Sequence, residues 1–243
     1  MCASASYRIN SLTTFALPLL LLMASPQARY NVLRSLHLTQ FFFGQQLSHE
    51  QRVQCYDYTF EEKREHQQYF YSRKTAALII DAVLDYFGYD NERVQREFCC
   101  LCAPSIAEIL YHEYDISVTL LDLDTRFDYL PGFRKFDLLQ PSLPEDLKPF
   151  SFILFDPPYF GIPLSTMQSA ITSISSSSPR LLVGFLRRDD HLLLSEFPSL
   201  SRSTAPIEYD RVRESRWSNY AMYANCDLRG IRRAHGKKKS AKE

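Results

Sequence analysis

Residues 151–160, SFILFDPPYF, set the reading of the whole chain. Phe152-Ile-Leu-Phe155 is a continuous apolar run, as expected of a strand buried on both faces. It breaks at Asp156-Pro157-Pro158-Tyr159. Proline cannot donate to a strand ladder and fixes φ, so a stiff turn must begin there. The turn leaves a carboxylate, two proline carbonyls and an aromatic ring at the carboxyl end of a strand. In open α/β sheets that edge is where ligands bind. A nucleophilic amine needs acceptors that orient its lone pair and take its protons. Asp156 and the carbonyl of Pro157 can supply them, and Tyr159 can stack on a base or face a cation. The same four residues also make an ordinary strand end; the buried-type strand in front of them favours the site.

Strands and helices alternate around this turn. Ser72 predicts the N-cap of a helix over 73–86, with Ala76, Leu78, Ile79, Ile80, Val83, Leu84 and Phe87 at helical spacing and a stop near Gly88. Residues 97–102 (EFCCLC) read as a strand, followed by the turn Ala103-Pro104-Ser105 and an amphipathic helix over 106–114. A dinucleotide-type fold places its glycine-rich turn here, and small residues stand in for the glycines. The next strand, 118–124 (VTLLDLD), ends in acids. Asp124 lies 21 residues after Ala103, close to the offset of about 20 at which a carboxylate meets ribose hydroxyls. Asp122 is the competing candidate, and a solvated strand end is the plain alternative. Residues 133–138 (FRKFDL) predict a third short strand with Asp137 at its end, 164–175 a helix, 175–178 a flexible loop and 180–186 a fifth strand. Two closing strands are expected over 207–212 and 220–225. Tyr69-Phe70-Tyr71 is either core packing or an aromatic lip over the site.

At 243 residues, 45% hydrophobic and 14% aromatic, the chain is large enough for one α/β domain with extensions. Charge balances at 28 bases and 28 acids, yet seven bases and one acid fall in 229–243, leaving a net −6 over residues 1–228. That is not the pattern of a dedicated duplex binder, and the tail reads as a disordered solubilising or localising end. Cys99, Cys100 and Cys102 share one strand, where neighbouring side chains alternate faces and cannot all be bridged. No paired ligand spacing makes a zinc site, and the histidines form no cluster. This cysteine use predicts a reducing, cytoplasmic setting. The apolar run over 12–24 points the other way. It is shorter than the roughly 20 residues of a span, so it reads as signal-like or as an artefact upstream of a start at Met23. No stable membrane span is expected.

Together these stretches resemble a small eukaryotic family of probable N6-adenine methyltransferases that includes the elongation factor 1-alpha lysine methyltransferases. The resemblance is carried by QYFYS (68–72), CAPS (102–105), DLDTRF (122–127), FD with LPEDL (136–137, 143–147), SFILFDPPY (151–159) and NYAMYANCD (219–227), in family order. It implies an α/β fold of the class I (Rossmann-like) methyltransferase type, a mostly parallel seven-stranded sheet with helices on both faces, with S-adenosylmethionine as cofactor and no metal. The chain then divides into an apolar extension (1–28), a helical segment (29–66), a methyltransferase domain (67–228) and the basic tail (229–243).

The resemblance also implies roles. Ala103, Pro104 and Ser105 would line the methionine part of the cofactor, Asp124 would take the ribose and Asp137 the adenine amino group. Asp156, Pro157 and Tyr159 would form the catalytic amine site, with Tyr69 and Tyr71 beside the substrate. A related branch methylates adenine in ribosomal RNA and carries zinc modules and an acid-Pro-Pro-Phe turn. Tyr159 and the lack of a zinc module lean towards the protein-lysine branch, with elongation factor 1-alpha as the expected partner and RNA as the alternative. A non-catalytic methyltransferase-like binding protein is the competing class; it would keep the sheet and lose the cofactor.

Overall fold

The computed structural model describes residues 58, 60–141, 147 and 149–234. The apolar extension over 1–28, most of the 29–66 segment, most of 141–147 and the tail beyond 234 lie outside the described residues. What is described of 29–66 includes a single 3-10 turn, Arg64–His66.

Helix α1 (Arg73–Tyr86) begins where its cap predicts: the Ser72 hydroxyl accepts from the Thr75 N–H at 3.2 Å. Such a cap is worth about 1 kcal/mol. The helix stops at Gly88, whose φ of +64° turns the chain and lets the Tyr89 N–H reach the Leu84 carbonyl at 2.8 Å. A short α2 (Asn91–Glu97), capped by Asp90, was not anticipated and leads into β1 (Phe98–Leu101). There follow α3 (Pro104–Tyr114), β2 (Thr119–Asp122), β3 (Phe133–Lys135), β4 (Phe150–Phe155), α4 (Leu164–Ile174), β5 (Ser175–Leu186), α5 (Asp190–Glu196), β6 (Ser201–Arg202) and β7 (Tyr220–Ala224).

The seven strands form one sheet in the order β3-β2-β1-β4-β5-β7-β6. The first five pair in parallel, and β7 runs antiparallel to both β5 and β6. This is the mostly parallel class I sheet that the alternating pattern predicts. Its strands read as apolar runs because both faces are covered. On one face Phe98, Cys100, Leu120, Phe152, Leu154 and Leu182 pack with Ile79, Ile80 and Val83 of α1 and Ile106, Ile109 and Leu110 of α3. On the other, Cys99, Leu101, Leu121, Ile153, Phe155 and Val183 meet Met167, Ala170, Ile171 and Ile174 of α4. Adjacent Cys99 and Cys100 therefore point into opposite layers, and Cys99, Cys100, Cys102 and Cys226 are free thiols. No described helix is long and apolar enough to cross a membrane.

Two local expectations are corrected. Residues 175–178 are not a loop but the start of β5, since the backbone of Ser175 pairs with Phe150 at a register shift. A serine run has no side-chain pattern to announce this. Residues 207–212 are not a sheet strand; the edge strand is Ser201–Arg202. Their backbone pairs instead with the segment before α1: Asp210 N–H donates to the Phe70 carbonyl and Ser72 N–H to the Glu208 carbonyl, both at 2.8 Å. That pairing brings Tyr71 and Tyr209 side by side.

Register then sets the site. Leu101 pairs with both Leu121 and Phe155, so the carboxyl ends of β1, β2 and β4 finish level. Beyond the ladder, the Asp156 N–H reaches the Leu101 carbonyl at 3.2 Å, Cys102 N–H the Leu121 carbonyl at 2.9 Å and Phe136 N–H the Asp122 carbonyl at 2.9 Å. The residues that follow each strand are thereby aligned along one edge.

Candidate active site

A cleft along this edge is lined by Cys102 after β1, Asp122 at the end of β2, Phe136 and Asp137 after β3, and Asp156, Pro157, Pro158 and Tyr159 after β4. Cys102 has φ of +53°, the left-handed region that glycine adopts most easily. Its thiol is pushed well up by burial, with the charges of Asp122 and Asp156 adding to the effect. Asp122 is only 8% exposed, and its Oδ1 accepts the Asp124 N–H at 2.8 Å. Burial pushes its carboxyl up to about 6 against the hydrogen bonds of the turn. Asp137 accepts the Leu139 N–H at 2.9 Å through Oδ1.

Ala103, Pro104 and Ser105 do not line this cleft. Ala103 and Ser105 are each 1% exposed, Pro104 is buried at the first turn of α3, and Ser105 faces Tyr58. The residue of that turn that reaches the cleft is Cys102.

Asp124 does not line the cleft either. Its carboxylate is filled by Arg126 (Nη2 to Oδ2, 2.6 Å), Lys63 (3.2 Å) and the Gln68 amide (3.3 Å). Burial opposes these charges, yet the partners hold the carboxyl well below the usual range. Asp124 caps the 3-10 turn Thr125–Phe127 by accepting the Arg126 N–H, while Asp122 lines the cleft. Asp124 thus anchors both ends of the segment 63–68, within which Gln67 bonds both the N–H and the carbonyl of Phe160, at 2.7 and 2.8 Å.

Around Asp156 stands a shell of tyrosines. The hydroxyls of Tyr209 and Tyr159 lie 2.9 and 3.2 Å from its Oδ1 and within hydrogen-bond reach of each other, so their two hydrogens serve three contacts. Burial pushes the Asp156 carboxyl up to about 8, opposed by those hydroxyls. Tyr71 is fully buried and stacks on Tyr209 with centroids 5.2 Å apart and planes 16° from parallel. Its hydroxyl faces Asp156 and Tyr209. Tyr69 lies 6.0 Å from Tyr159 and 5.9 Å from Tyr209, and Tyr220 packs on Tyr159 and Tyr209 at 5.6 and 4.9 Å. Gly184 of β5 leaves room for this cluster: a Cβ there would stand 2.8 Å from Asp156 Oδ1 and from the Tyr71 hydroxyl.

Of the residues expected beside the substrate, Asp156, Tyr159, Tyr69 and Tyr71 are therefore brought together. Tyr209, Tyr220, Gly184 and Cys102 belong to the same assembly and were not singled out from sequence. Tyr220 opens the NYAMYANCD stretch, so a signal existed for it; nothing near Tyr209 marks it. Beyond the tyrosines a second pocket of about 550 Å³ opens, shared by Tyr69, Tyr159 and Tyr220 and lined by Arg187, Arg188, Arg202 and Arg216.

A family model described as probable N6-adenine methyltransferase matches residues 62–228, more than half of the chain. The chain belongs to that family. With its class I sheet it is an S-adenosylmethionine-dependent methyltransferase, as the resemblance implies. Among solved structures, the precorrin-6y C5,15-methyltransferase of Geobacter metallireducens is similar at 11% identity, with a TM-score of 0.41 over 68% of this chain and 92% of that one. The N-methyltransferase NodS of Bradyrhizobium japonicum, solved with S-adenosyl-l-homocysteine, is similar at 12% identity, with a TM-score of 0.35 over 64% of this chain and 89% of that one. No curated protein matches the chain. Among the described residues of the methyltransferase no group of His, Cys, Asp and Glu is placed to hold a metal.

Proposed function

We propose that this methyltransferase acts on the side-chain amine of a protein lysine, with translation elongation factor 1-alpha as the substrate its sequence resemblance points to. The observation that carries the reading is the carboxylate of Asp156 within a ring of tyrosines. Aromatic faces around one acid suit an alkylammonium: each face contributes about 0.5–2 kcal/mol to a cation, and the acid supplies a counter-charge once the cation beside it draws off its proton. The hydroxyl of buried Tyr71, aimed at the same carboxyl, is a third phenol that fixes its position.

The cofactor fits the cleft by its donor set. Asp122 would take the ribose hydroxyls through the carboxylate oxygen that the Asp124 N–H leaves free, and Asp137 would accept the adenine amino group. This moves the ribose role from Asp124 to Asp122. Cys102 would let the backbone approach the methionine part. When bound, S-adenosylmethionine supplies an electrophilic methyl on a sulfonium. The protein must present a neutral amine to it. Burial among Tyr69, Tyr159 and Tyr220 lowers the pKa of a lysine, while a cation beside Asp156 favours the charged form of a carboxyl that burial otherwise keeps protonated up to about 8. Once ionised, Asp156 accepts one amine hydrogen while the Pro157 carbonyl accepts another. The proton shed by the ammonium passes to water, and the lone pair is left pointing at the cofactor side.

The second reading, N6 methylation of adenine in RNA or DNA, is favoured by the family description and by the four arginines beside the site. The acceptors on an amine hydrogen serve it equally. Purified enzyme, labelled S-adenosylmethionine and a cell lysate decide between them: label removed by protease supports lysine, and label removed by ribonuclease overturns it.

A further inference from the structure

The pocket next to the tyrosine ring carries a chemistry that the amine site does not explain. Arg187 and Arg188 follow β5, Arg202 lies in β6 and Arg216 in the 3-10 turn Glu214–Asn219, and no acid lines the pocket with them. Some of this charge is countered from outside: Arg188 pairs with Asp189 at 3.1 Å and Arg202 with Asp190 at 3.5 Å. Arg187 donates to the Ser218 carbonyl at 3.1 Å, and Arg216 has no side-chain hydrogen bond or ion pair among the described residues. The guanidinium of Arg188 sits 5.5 Å over the Phe160 ring, which stiffens it. All four are exposed, so their charge is available to a partner.

This arrangement bears on any cationic substrate. Tyr69, Tyr159 and Tyr220 line both the amine site and the arginine pocket, so an ammonium entering the ring passes close to the guanidiniums. Like charges at that range oppose entry unless the substrate brings its own anions. We propose that the pocket receives carboxylate side chains flanking the target lysine, so that the substrate is a lysine in an acidic protein surface. This rests on the lysine reading above. Arginine is suited to the task, because its planar fork takes a carboxylate through two parallel hydrogen bonds. A nucleic-acid backbone is the other anion that arginines take. The arginines close around one concavity of about 550 Å³ instead of forming a track. A longer polyanion would next meet a chain whose residues 1–228 carry a net −6. A compact anion attached to a protein meets neither obstacle.

The test uses the full chain with bound S-adenosyl-l-homocysteine, and two fluorescent peptides that differ only in glutamate or glutamine flanks around one lysine. Binding is read by anisotropy and methylation by transfer of label from S-adenosylmethionine. The glutamate peptide is expected to bind about tenfold more tightly at low salt, since each rim ion pair contributes modestly. The preference should vanish in the double variant Arg187→Glu/Arg216→Glu, with KM rising and kcat nearly unchanged. Cofactor affinity of that variant, by calorimetry, should stay at the wild-type value and so report an intact fold. If both peptides bind and react equally, and the double variant changes nothing, the acidic-flank inference is overturned while the lysine reading stands. If neither peptide binds but a single-stranded adenine oligonucleotide does, and loses affinity in the double variant, both the inference and the lysine reading fall.

Discussion

Gly184→Ala is the sharpest probe of the tyrosine-carboxylate cluster. In an ordinary strand, replacing glycine by alanine is neutral or stabilising by up to about 1 kcal/mol, because glycine loses more chain entropy on folding. Here the new methyl carbon would stand 2.8 Å from Asp156 Oδ1, 2.8 Å from the Tyr71 hydroxyl and 3.1 Å from the Tyr209 hydroxyl. Tyr71 and Tyr209 are both fully buried and stacked on each other, so neither ring can swing away. Asp156 is held by its backbone bond to Leu101 and by the prolines that follow. Overpacking of this kind costs about 1–3 kcal/mol. For a chain of this size that lowers Tm by about 3–10 °C. Any relief comes from moving the carboxylate, and a displacement near 1 Å costs about a hundredfold in turnover. Asp122 ends β2 and Asp137 follows β3, both away from β5, so cofactor affinity should hold within about twofold. Calorimetric unfolding, cofactor titration and methyl-transfer kinetics together read out the three effects. A Gly184→Ala enzyme with wild-type Tm and wild-type kcat would refute the crowding argument and with it the placement of Asp156.

The two acids after β2 should separate cleanly. Asp122→Asn is expected to weaken S-adenosylmethionine binding by about tenfold or more, from one charge-assisted bond of about 1.5–3 kcal/mol, whereas Asp124→Asn should lose stability first. Because Arg126 and Lys63 keep 26% and 30% of their side-chain exposure, that loss is about 1–3 kcal/mol, below the cost of breaking a fully buried pair; the reverse pattern by calorimetry and denaturant melts would restore Asp124 to the ribose. Tyr159→Phe removes the hydroxyl that bonds Asp156 and Tyr209, and lysine methylation should fall about ten- to hundredfold, at 1.4 kcal/mol per decade; RNA methylation that survives it and falls steeply with salt would promote the adenine reading. Stability should also depend on Asp156. Its native carboxyl keeps a proton up to about 8, but the unfolded carboxyl only to about 4, so the native state binds more protons across that window and stability falls as pH rises through it. Asp156→Asn should flatten that slope, and parallel pH–stability curves for wild type and variant would show that the carboxyl is not held neutral.

How much was legible in advance follows from what periodicity can and cannot carry. The strand before Asp156, the cap at Ser72 and the acids at the ends of β2 and β3 are local patterns, and the sequence alone determined them, together with the methyltransferase fold that their order implies. It also determined that Asp156 and Tyr159 would stand at the carboxyl edge, because two prolines end a buried strand whatever surrounds it. Which of Asp122 and Asp124 faces the cleft was open, since a bend at a strand end reverses side-chain direction without any mark in the residue types. Tertiary structure decided it through Lys63 and Gln68, which reach Asp124 from more than fifty residues away and join the local fork of Arg126. Tyr209 joined the site only because residues 208–210 pair with residues 70–72, more than a hundred positions away in sequence. The arginine pocket is likewise a product of β5, β6 and the turn before β7 converging at one sheet edge. A strand pattern records which face of the sheet a residue occupies; only the folded packing decides which distant side chains share that face's end.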